Sequence, residues 1–277
     1  MKPVIGRDTI LCMSLAARPG HFGSRFHNYL YEALELDYVY KAFTTGDLKG
    51  AITGIRALGI RGCAISMPFK EAVIPLLDAL EPSARAIDSV NTIVNENGYL
   101  TGFNTDYLAV RALLAREHLP SDTAFTLHGS GGMAKAVAAA LRDEGFANGT
   151  VVSRNEATGR ALARSYGFEW RGTPFEAATP LLVNATPLGM TGAGETALAF
   201  SGRAIAGCEI AFDVVALPPE TPFIQRARAL GKRVILGSDV AAIQALEQFV
   251  LYTGVRPSPE QTRAAADFAR LPTLERH

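Results

Sequence analysis

The stretch from Phe125 to Ala139 constrains the fold most: Phe-Thr-Leu-His, then Gly-Ser-Gly-Gly-Met-Ala-Lys-Ala-Val-Ala-Ala. It reads as a strand, a tight glycine turn and the start of a helix, a unit that buries its apolar faces only within a larger α/β sheet. Gly129, Gly131 and Gly132 free the backbone to turn sharply and let a pyrophosphate approach the main chain. The first amides of the following helix point at its charge. The last glycine of the G-x-G-x-x-G pattern is Ala134 here, still small enough for the helix to pack closely on the strand. These features outline a dinucleotide site over Gly129, Ser130, Gly131, Gly132, Met133 and Ala134. A plain strand-to-helix turn is the alternative.

A chain of 277 residues, 48% of them apolar, is long enough for one large or two modest domains with a sizeable core. With 27 basic and 27 acidic residues and no basic run, no field favours nucleic acid or an acidic membrane surface. Cys12, Cys63 and Cys208 are widely spaced in apolar or strand-like contexts, which predicts buried free thiols rather than a disulfide or a metal site. The start Met-Lys-Pro-Val-Ile-Gly-Arg-Asp places charge where a secretory signal needs its apolar core, and no uninterrupted apolar span follows. A cytoplasmic location is the resulting expectation.

The first hundred residues alternate short apolar runs with helical patterns, as βαβ sheets do. Strands are predicted at Thr9–Ser14, Tyr38–Phe43 and Cys63–Ser66, and helices at Phe26–Leu34 and from an Asp47 cap to Leu58, ended by Gly59. The third strand runs into Met67-Pro68-Phe69-Lys70, which puts Lys70 in a first helical turn at the strand's carboxyl end, where ligands of open α/β sheets bind. The positive pole of a helix disfavours a lysine there, so Lys70 either has a partner or is simply solvated. Asn97-Gly98 joins two predicted strands, Val90–Val94 and Tyr99–Gly102, into a hairpin. Asn91-Thr92 opens the hairpin and Asn104-Thr105-Asp106 closes it, before a helix expected over Tyr107–Glu117. Asp106 is placed to cap that helix, to orient a neighbouring ammonium group, or both.

Ala64-Ile-Ser-Met-Pro-Phe-Lys70, Val90-Asn-Thr, Gly102-Phe-Asn-Thr-Asp106 and Gly129-Ser-Gly-Gly-Met-Ala, in that order, resemble the shikimate/quinate dehydrogenase family, closest to its divergent shikimate dehydrogenase-like branch. The resemblance extends from His27-Asn28 through Asn184-Ala-Thr-Pro-Leu-Gly-Met190 to Gln244. It implies an α/β fold of two domains, an N-terminal substrate domain and a Rossmann-type dinucleotide domain, with a cleft between them. The implied boundaries are 1–105, completed by helices in 238–277, for the substrate domain, and 106–237 for the nucleotide domain. It further implies Lys70 and Asp106 as the catalytic pair, Ser66, Asn91 and Gln244 as holders of substrate hydroxyls, and Asn184, Thr186 and Gly237 beside the cofactor.

The chain departs from the family where the substrate carboxylate is gripped. A Ser-x-Ser-Pro segment usually precedes the His-Asn pair, whereas His21-Phe-Gly-Ser24-Arg25-Phe-His27-Asn28 stands here. Ala64 and Ala216 replace an asparagine and a tyrosine of the family, and Asp239 replaces a glycine. Ser14, Arg18 and Ser24 are candidates to rebuild the carboxylate site, because an arginine fork pairs both carboxylate oxygens. Arg25 is a second candidate fork, and a solvated surface arginine is the alternative for each.

The second half continues as alternating strands and helices. The strand Gly149–Ser153 ends in Ser153-Arg154-Asn155, where an NAD site usually has an acidic residue for the ribose hydroxyls. Arg154 can fork onto a 2′-phosphate, with Ser153 and Asn155 as neutral donors, so NADP is the expected cofactor. Glu156 offsets the dipole of the next helix, or reaches the ribose and admits NAD.

The implied reaction is reversible, NADP-dependent oxidation of shikimate or a closely related cyclic hydroxy acid, with Lys70 as general acid and base, Asp106 orienting it, and no metal. The alternatives are a nucleotide-dependent binding or sensing protein with weak turnover, and a dehydrogenase for quinate or an aminated ring. The partner is a small molecule.

Overall fold

The computed structural model describes residues 5–271, so the charged start Met1–Val4 and the segment after Leu271 lie outside it. The chain divides into two compact units, one running to Thr105 and resuming at Ala242, the other Asp106–Ala241. Among the described residues each unit is built on a six-stranded sheet.

In the first unit the strands are β1 (Ile10–Leu15), β2 (Tyr38–Phe43), β3 (Gly62–Ile65), β4 (Ala79–Leu80), β5 (Thr92–Glu96) and β6 (Tyr99–Phe103), in the order β2-β1-β3-β5-β6-β4. β1 pairs in parallel with β2 and β3, while β5 runs antiparallel to both β3 and β6. Asn97 and Gly98 both take positive φ, 54° and 88°, which is the backbone a two-residue hairpin requires. Asp47 caps the helix Leu48–Ala57 by accepting from the Gly50 amide at 2.8 Å. The helix Phe22–Ala33 begins four residues before the predicted start, so His27 lies inside it rather than at its entrance. His27 is fully buried and stacks on Tyr40 with ring centroids 4.5 Å apart. Around them Phe26, Tyr31, Phe249, Tyr252, Ala265 and Ala266 form one core, so the helix Gly237–Thr253 from Ala242 onward and the helix Pro259–Arg270 complete this unit. Arg61 fastens the first of them by donating to the carbonyl of Tyr252 at 3.0 Å while also reaching that of Asn95 at 3.1 Å.

In the second unit the strands are β7 (Phe125–His128), β8 (Gly149–Ser153), β9 (Glu169–Gly172), β10 (Leu181–Asn184), β11 (Ile210–Asp213) and β12 (Arg233–Ile235). All are parallel, in the order β12-β11-β10-β7-β8-β9. This is the doubly wound Rossmann order, with its topological switch point between β7 and β10. β10 and β11 are buried throughout, because helices cover both faces of a parallel sheet. The fold is therefore α/β with a Rossmann-type second unit. All three cysteines are free and buried, and burial raises each thiol pKa, that of Cys12 to about 12. Among the described residues no cluster of His, Cys, Asp or Glu could hold a metal ion, and no helix is long and apolar enough to cross a membrane.

Candidate active site

The register of the first sheet collects several of the expected residues at one end. Ser14 of β1 pairs with Ala64 of β3, Ala64 with Thr92 of β5, and Thr92 with Phe103 of β6, giving a row across four strands. One step further out, the Ile65 amide donates to the Asn91 carbonyl at 2.8 Å and the Ser66 amide to Leu15 at 2.9 Å. The Val90 amide donates to the Lys70 carbonyl at 2.9 Å, which ties the short helix Phe69–Ala72 to the entry of β5. Ser66, Lys70 and Asn91 thus gather at the carboxyl ends of β1 and β3, with strands about 4.8 Å apart.

Asn91 is the most constrained of these. Its Oδ1 accepts from the Thr105 amide at 2.8 Å and from the Thr92 hydroxyl at 2.8 Å, so the oxygen end of the amide is fixed. Its Nδ2 is consequently turned the other way and is buried without a hydrogen-bond partner. A buried donor left unmade costs about 1–3 kcal/mol. Behind Asn91 stands Gln248, whose Nε2 donates to the Asn91 carbonyl at 3.2 Å and to Thr92 Oγ1 at 2.9 Å. Gln248 did not emerge from the sequence, although it lies one helical turn beyond Gln244. Gln244 itself is half-buried on the same helix.

The carboxylate candidates differ in availability. Arg25 donates to the carbonyl of Leu271 and is thereby committed to the end of the last helix. Arg18 is exposed in the segment after β1. Ser24 is half-buried in the first turn of Phe22–Ala33, where its carbonyl accepts from Asn28 Nδ2 at 2.8 Å. Asp106 is buried, and because the helix Thr105–Glu117 starts at Thr105, it occupies the first turn rather than the cap position.

The second unit carries a cavity of 1120 Å³ at the carboxyl ends of β7, β8 and β10, lined by Gly129–Gly131, Ser153–Asn155 and the loop after β10. Gly129 has φ +127°, and a Cβ there would lie 2.7 Å from the Ala185 carbonyl oxygen, so only glycine fits. At Gly131 and Gly132 an added Cβ would meet nothing within 4 Å. No side chain caps the helix Gly132–Asp143, so its first amides face that open space. An open glycine cradle at an uncapped helix start fits the pyrophosphate of a dinucleotide. Ala134 is fully buried, and Met133 is half-buried beside it.

Arg154 is exposed at the rim of the cavity, and no carboxylate pairs with it among the described residues. Its neighbours are engaged within the protein. The Ser153 hydroxyl donates to the Asn155 carbonyl at 2.9 Å and accepts from Trp170 Nε1 at 3.1 Å. Asn155 caps the helix Glu156–Tyr166 through the Thr158 amide at 3.1 Å, and Glu156 pairs with Arg160 at 2.7 Å. Ser130 Oγ lies 2.8 Å from Thr158 Oγ1. The side chains of Asn184 and Thr186 bond to each other, Thr186 Oγ1 donating to Asn184 Oδ1 at 2.6 Å. What this wall offers a ligand, besides Arg154, is therefore the loop backbone. Gly237 packs against the backbone of Val214 and Val215 too closely for any side chain. His128 Nδ1 lies 2.9 Å from the Ala199 carbonyl, which assigns the ring proton to that nitrogen, and burial followed by the charge of Arg154 lowers its pKa.

Residues 22–93 match the family model of the shikimate dehydrogenase substrate binding domain. A shikimate dehydrogenase-like protein of Haemophilus influenzae is 53% identical over 96% of this chain and 99% of its own length. A solved structure of a shikimate 5-dehydrogenase-like protein superposes with a TM-score of 0.94 at 52% identity, covering 97% of this chain and all of that one. The shikimate 5-dehydrogenase of Thermus thermophilus, solved in complex with NADP(H) and shikimate, is 32% identical with a TM-score of 0.83, covering 94% and 99% of the two chains. Identity of this extent along nearly the whole length establishes that the chain belongs to the shikimate dehydrogenase family.

Proposed function

We propose that the protein catalyses the reversible, NADP-dependent oxidation of shikimate, or of a closely related cyclic hydroxy acid, to the ring ketone. The observation that carries this reading is the Asn91 amide, a buried donor held without a partner beside Lys70 and Ser66 at the end of the first sheet. Such a donor is matched by a ligand hydroxyl. Gln244, one turn before Gln248, is a second candidate for the substrate hydroxyls, and Ser14, Arg18 and Ser24 are the groups left for the carboxylate once Arg25 is committed to Leu271.

The cofactor would be held by the Gly129–Ala134 turn, the loop from Asn184 through Thr186, the helix start at Gly237, and the Ser153–Asn155 segment, where the Arg154 guanidinium would fork onto the 2′-phosphate. When bound, NADPH supplies the hydride that the ring carbonyl carbon accepts. The Lys70 ammonium donates a proton to the carbonyl oxygen as charge develops there, and in the reverse direction neutral Lys70 takes the hydroxyl proton. Asp106 orients the amine and accepts from an adjacent substrate hydroxyl. Lys70→Ala is expected to lower turnover, followed at 340 nm with shikimate and NADP, by about 10²-fold or more, with nucleotide affinity retained. Undiminished turnover in that variant would reject the assignment.

The altered carboxylate segment supports a second reading, a nucleotide-dependent binding protein with little turnover, and a third, a dehydrogenase for quinate or an aminated ring. A panel of cyclic hydroxy acids with NADP separates them. Saturable binding without turnover of any member favours the second, and preferred turnover of a member other than shikimate favours the third.

A further inference from the structure

The loop that leaves β10 is held in place by hydrogen bonds from its own side chains and their neighbours. Asn184 is fully buried, and both ends of its amide are gripped. Its Oδ1 accepts from the Thr186 amide at 3.0 Å and from Thr186 Oγ1 at 2.6 Å. Its Nδ2 donates to the Leu188 carbonyl at 3.1 Å and to Asp213 Oδ1 at 3.0 Å. The two ends of an amide have almost the same shape, so its partners alone decide which way it faces. A reversed Asn184 would set its NH2 against the Thr186 amide, donor against donor. An ionised Asp213, which can only accept, forbids that reversal.

Asp213 is itself fully buried and held by three donors. Besides Asn184, the Val215 amide reaches Oδ1 at 3.0 Å and Thr221 Oγ1 donates to Oδ2 at 2.7 Å. The Thr221 hydroxyl already accepts from the Ile224 amide at 3.3 Å, so its proton is left for the carboxylate. Gly189, with φ +87°, brings the far end of the loop onto the same threonine, since an added Cβ would lie 3.0 Å from Thr221 Cβ. The groups bonded to Asp213 carry no charge: Asn184 from β10, the Val215 amide beyond β11, and Thr221 at the cap of the helix Pro222–Ala229, and no charged side chain contributes to its pKa shift. Burial raises the Asp213 pKa to about 6 in spite of the three hydrogen bonds. A carboxylate buried without a cation is a cost that an apolar core would not carry, so its place beneath a cavity wall calls for a role.

We propose that Asp213 is a positioning residue for the nucleotide: by orienting the Asn184 amide and bracing Thr221, it sets the Ala185–Leu188 backbone that lines the cavity. This rests on the reading of that cavity as the NADP site. Asp213 touches no substrate and transfers no proton. Protonation would place an O–H among three donors, so the loop is correctly set only while the carboxylate is ionised. Nucleotide affinity therefore falls as pH drops through the Asp213 pKa.

The test measures NADP affinity directly by calorimetric titration of the full chain, without turnover, beside thermal melts of the nucleotide-free protein. At about pH 7.5, Asp213→Asn is expected to weaken NADP binding about tenfold, Thr221→Val about threefold, and Thr221→Ser, which keeps the donor, hardly at all. The melting temperature of Asp213→Asn falls by less than about 4 °C, since the variant also removes a buried charge. Between about pH 7.5 and about pH 5.5 the wild type loses more affinity than Asp213→Asn, a difference that cancels titration of the nucleotide's own phosphate. Asp213→Asn binding within twofold of wild type would overturn the proposal, as would a loss that merely parallels a lower melting temperature with an unchanged pH profile. A wild type that fails to bind NADP at all would instead overturn the reading of the cavity on which the proposal stands.

Discussion

Gly129 and Gly131 stand two residues apart on the turn after β7, yet a methyl group added to each would meet opposite circumstances. At Gly129 it would press on the Ala185 carbonyl with the backbone at φ +127°, and at Gly131 it would enter open space. Gly129→Ala is expected to cost about 2 kcal/mol or more of stability in denaturant unfolding. Gly131→Ala is expected to change stability by less than about 0.5 kcal/mol while weakening NADP binding, because the methyl fills the space left for the pyrophosphate. Two buried titratable groups give opposite pH signatures. Burial lowers the His27 pKa to about 3, and both ring nitrogens lack partners, Gln248 having committed its amide nitrogen to Asn91 and Thr92. The unfolded chain therefore takes up the proton first, so stability present above the ordinary histidine pKa is lost as pH falls below it. At about pH 5 this loss is about 2 kcal/mol, and His27→Phe should abolish that part of the acid limb in melts compared across pH. Asp213, with its pKa raised, works the other way: its burial costs stability above about pH 6, and that cost is relieved as pH falls toward the ordinary carboxylate range.

At the scale of elements, local chemistry marks boundaries that packing then respects. Asp47→Ala removes the acceptor for the Gly50 amide and is expected to cost about 1 kcal/mol, with nucleotide affinity unchanged, as checked by unfolding and titration of the same sample. The Asp47 cap, the Asn97-Gly98 hairpin and the strands Phe125–His128 and Gly149–Ser153 were legible because each is set by its own residues. β9 was not legible. Its four residues, Glu-Trp-Arg-Gly, are mostly exposed at the sheet edge and show no apolar alternation, so only pairing with β8 makes them a strand. β4, two residues long, is likewise defined by its partner β6. The helix Phe22–Ala33 starts earlier than its pattern suggested because Gly23 and the residues around it look like a turn, whereas in the fold Gly23 leaves room for the Tyr40 side chain, whose hydroxyl lies 3.4 Å from where its Cβ would be.

At the scale of the whole molecule, the first unit is assembled from two distant stretches of chain. Ending the chain after Ala241 would strip Phe249, Tyr252, Ala265 and Ala266 from the core around His27, along with the Gln248 contacts to Asn91 and Thr92. Such a truncation is expected to leave that unit without protected amides in hydrogen exchange, while the core of the second unit, around Leu182, Ile205, Ala211 and Phe223, loses none of its residues. The four ordered motifs made the fold and the family resemblance readable. The supports of the candidate site were not readable, because Gln248, Asp213 and Thr221 act through partners at sequence separations of 157, 29 and 8 residues, and no local pattern distinguishes them from ordinary polar residues. The same arrangement sets a timetable for biosynthesis. Asn91 leaves the ribosome long before Gln248, so a nascent chain carries the pocket's front residues without their rear brace, and ligand recognition matures only once Gln248 has emerged.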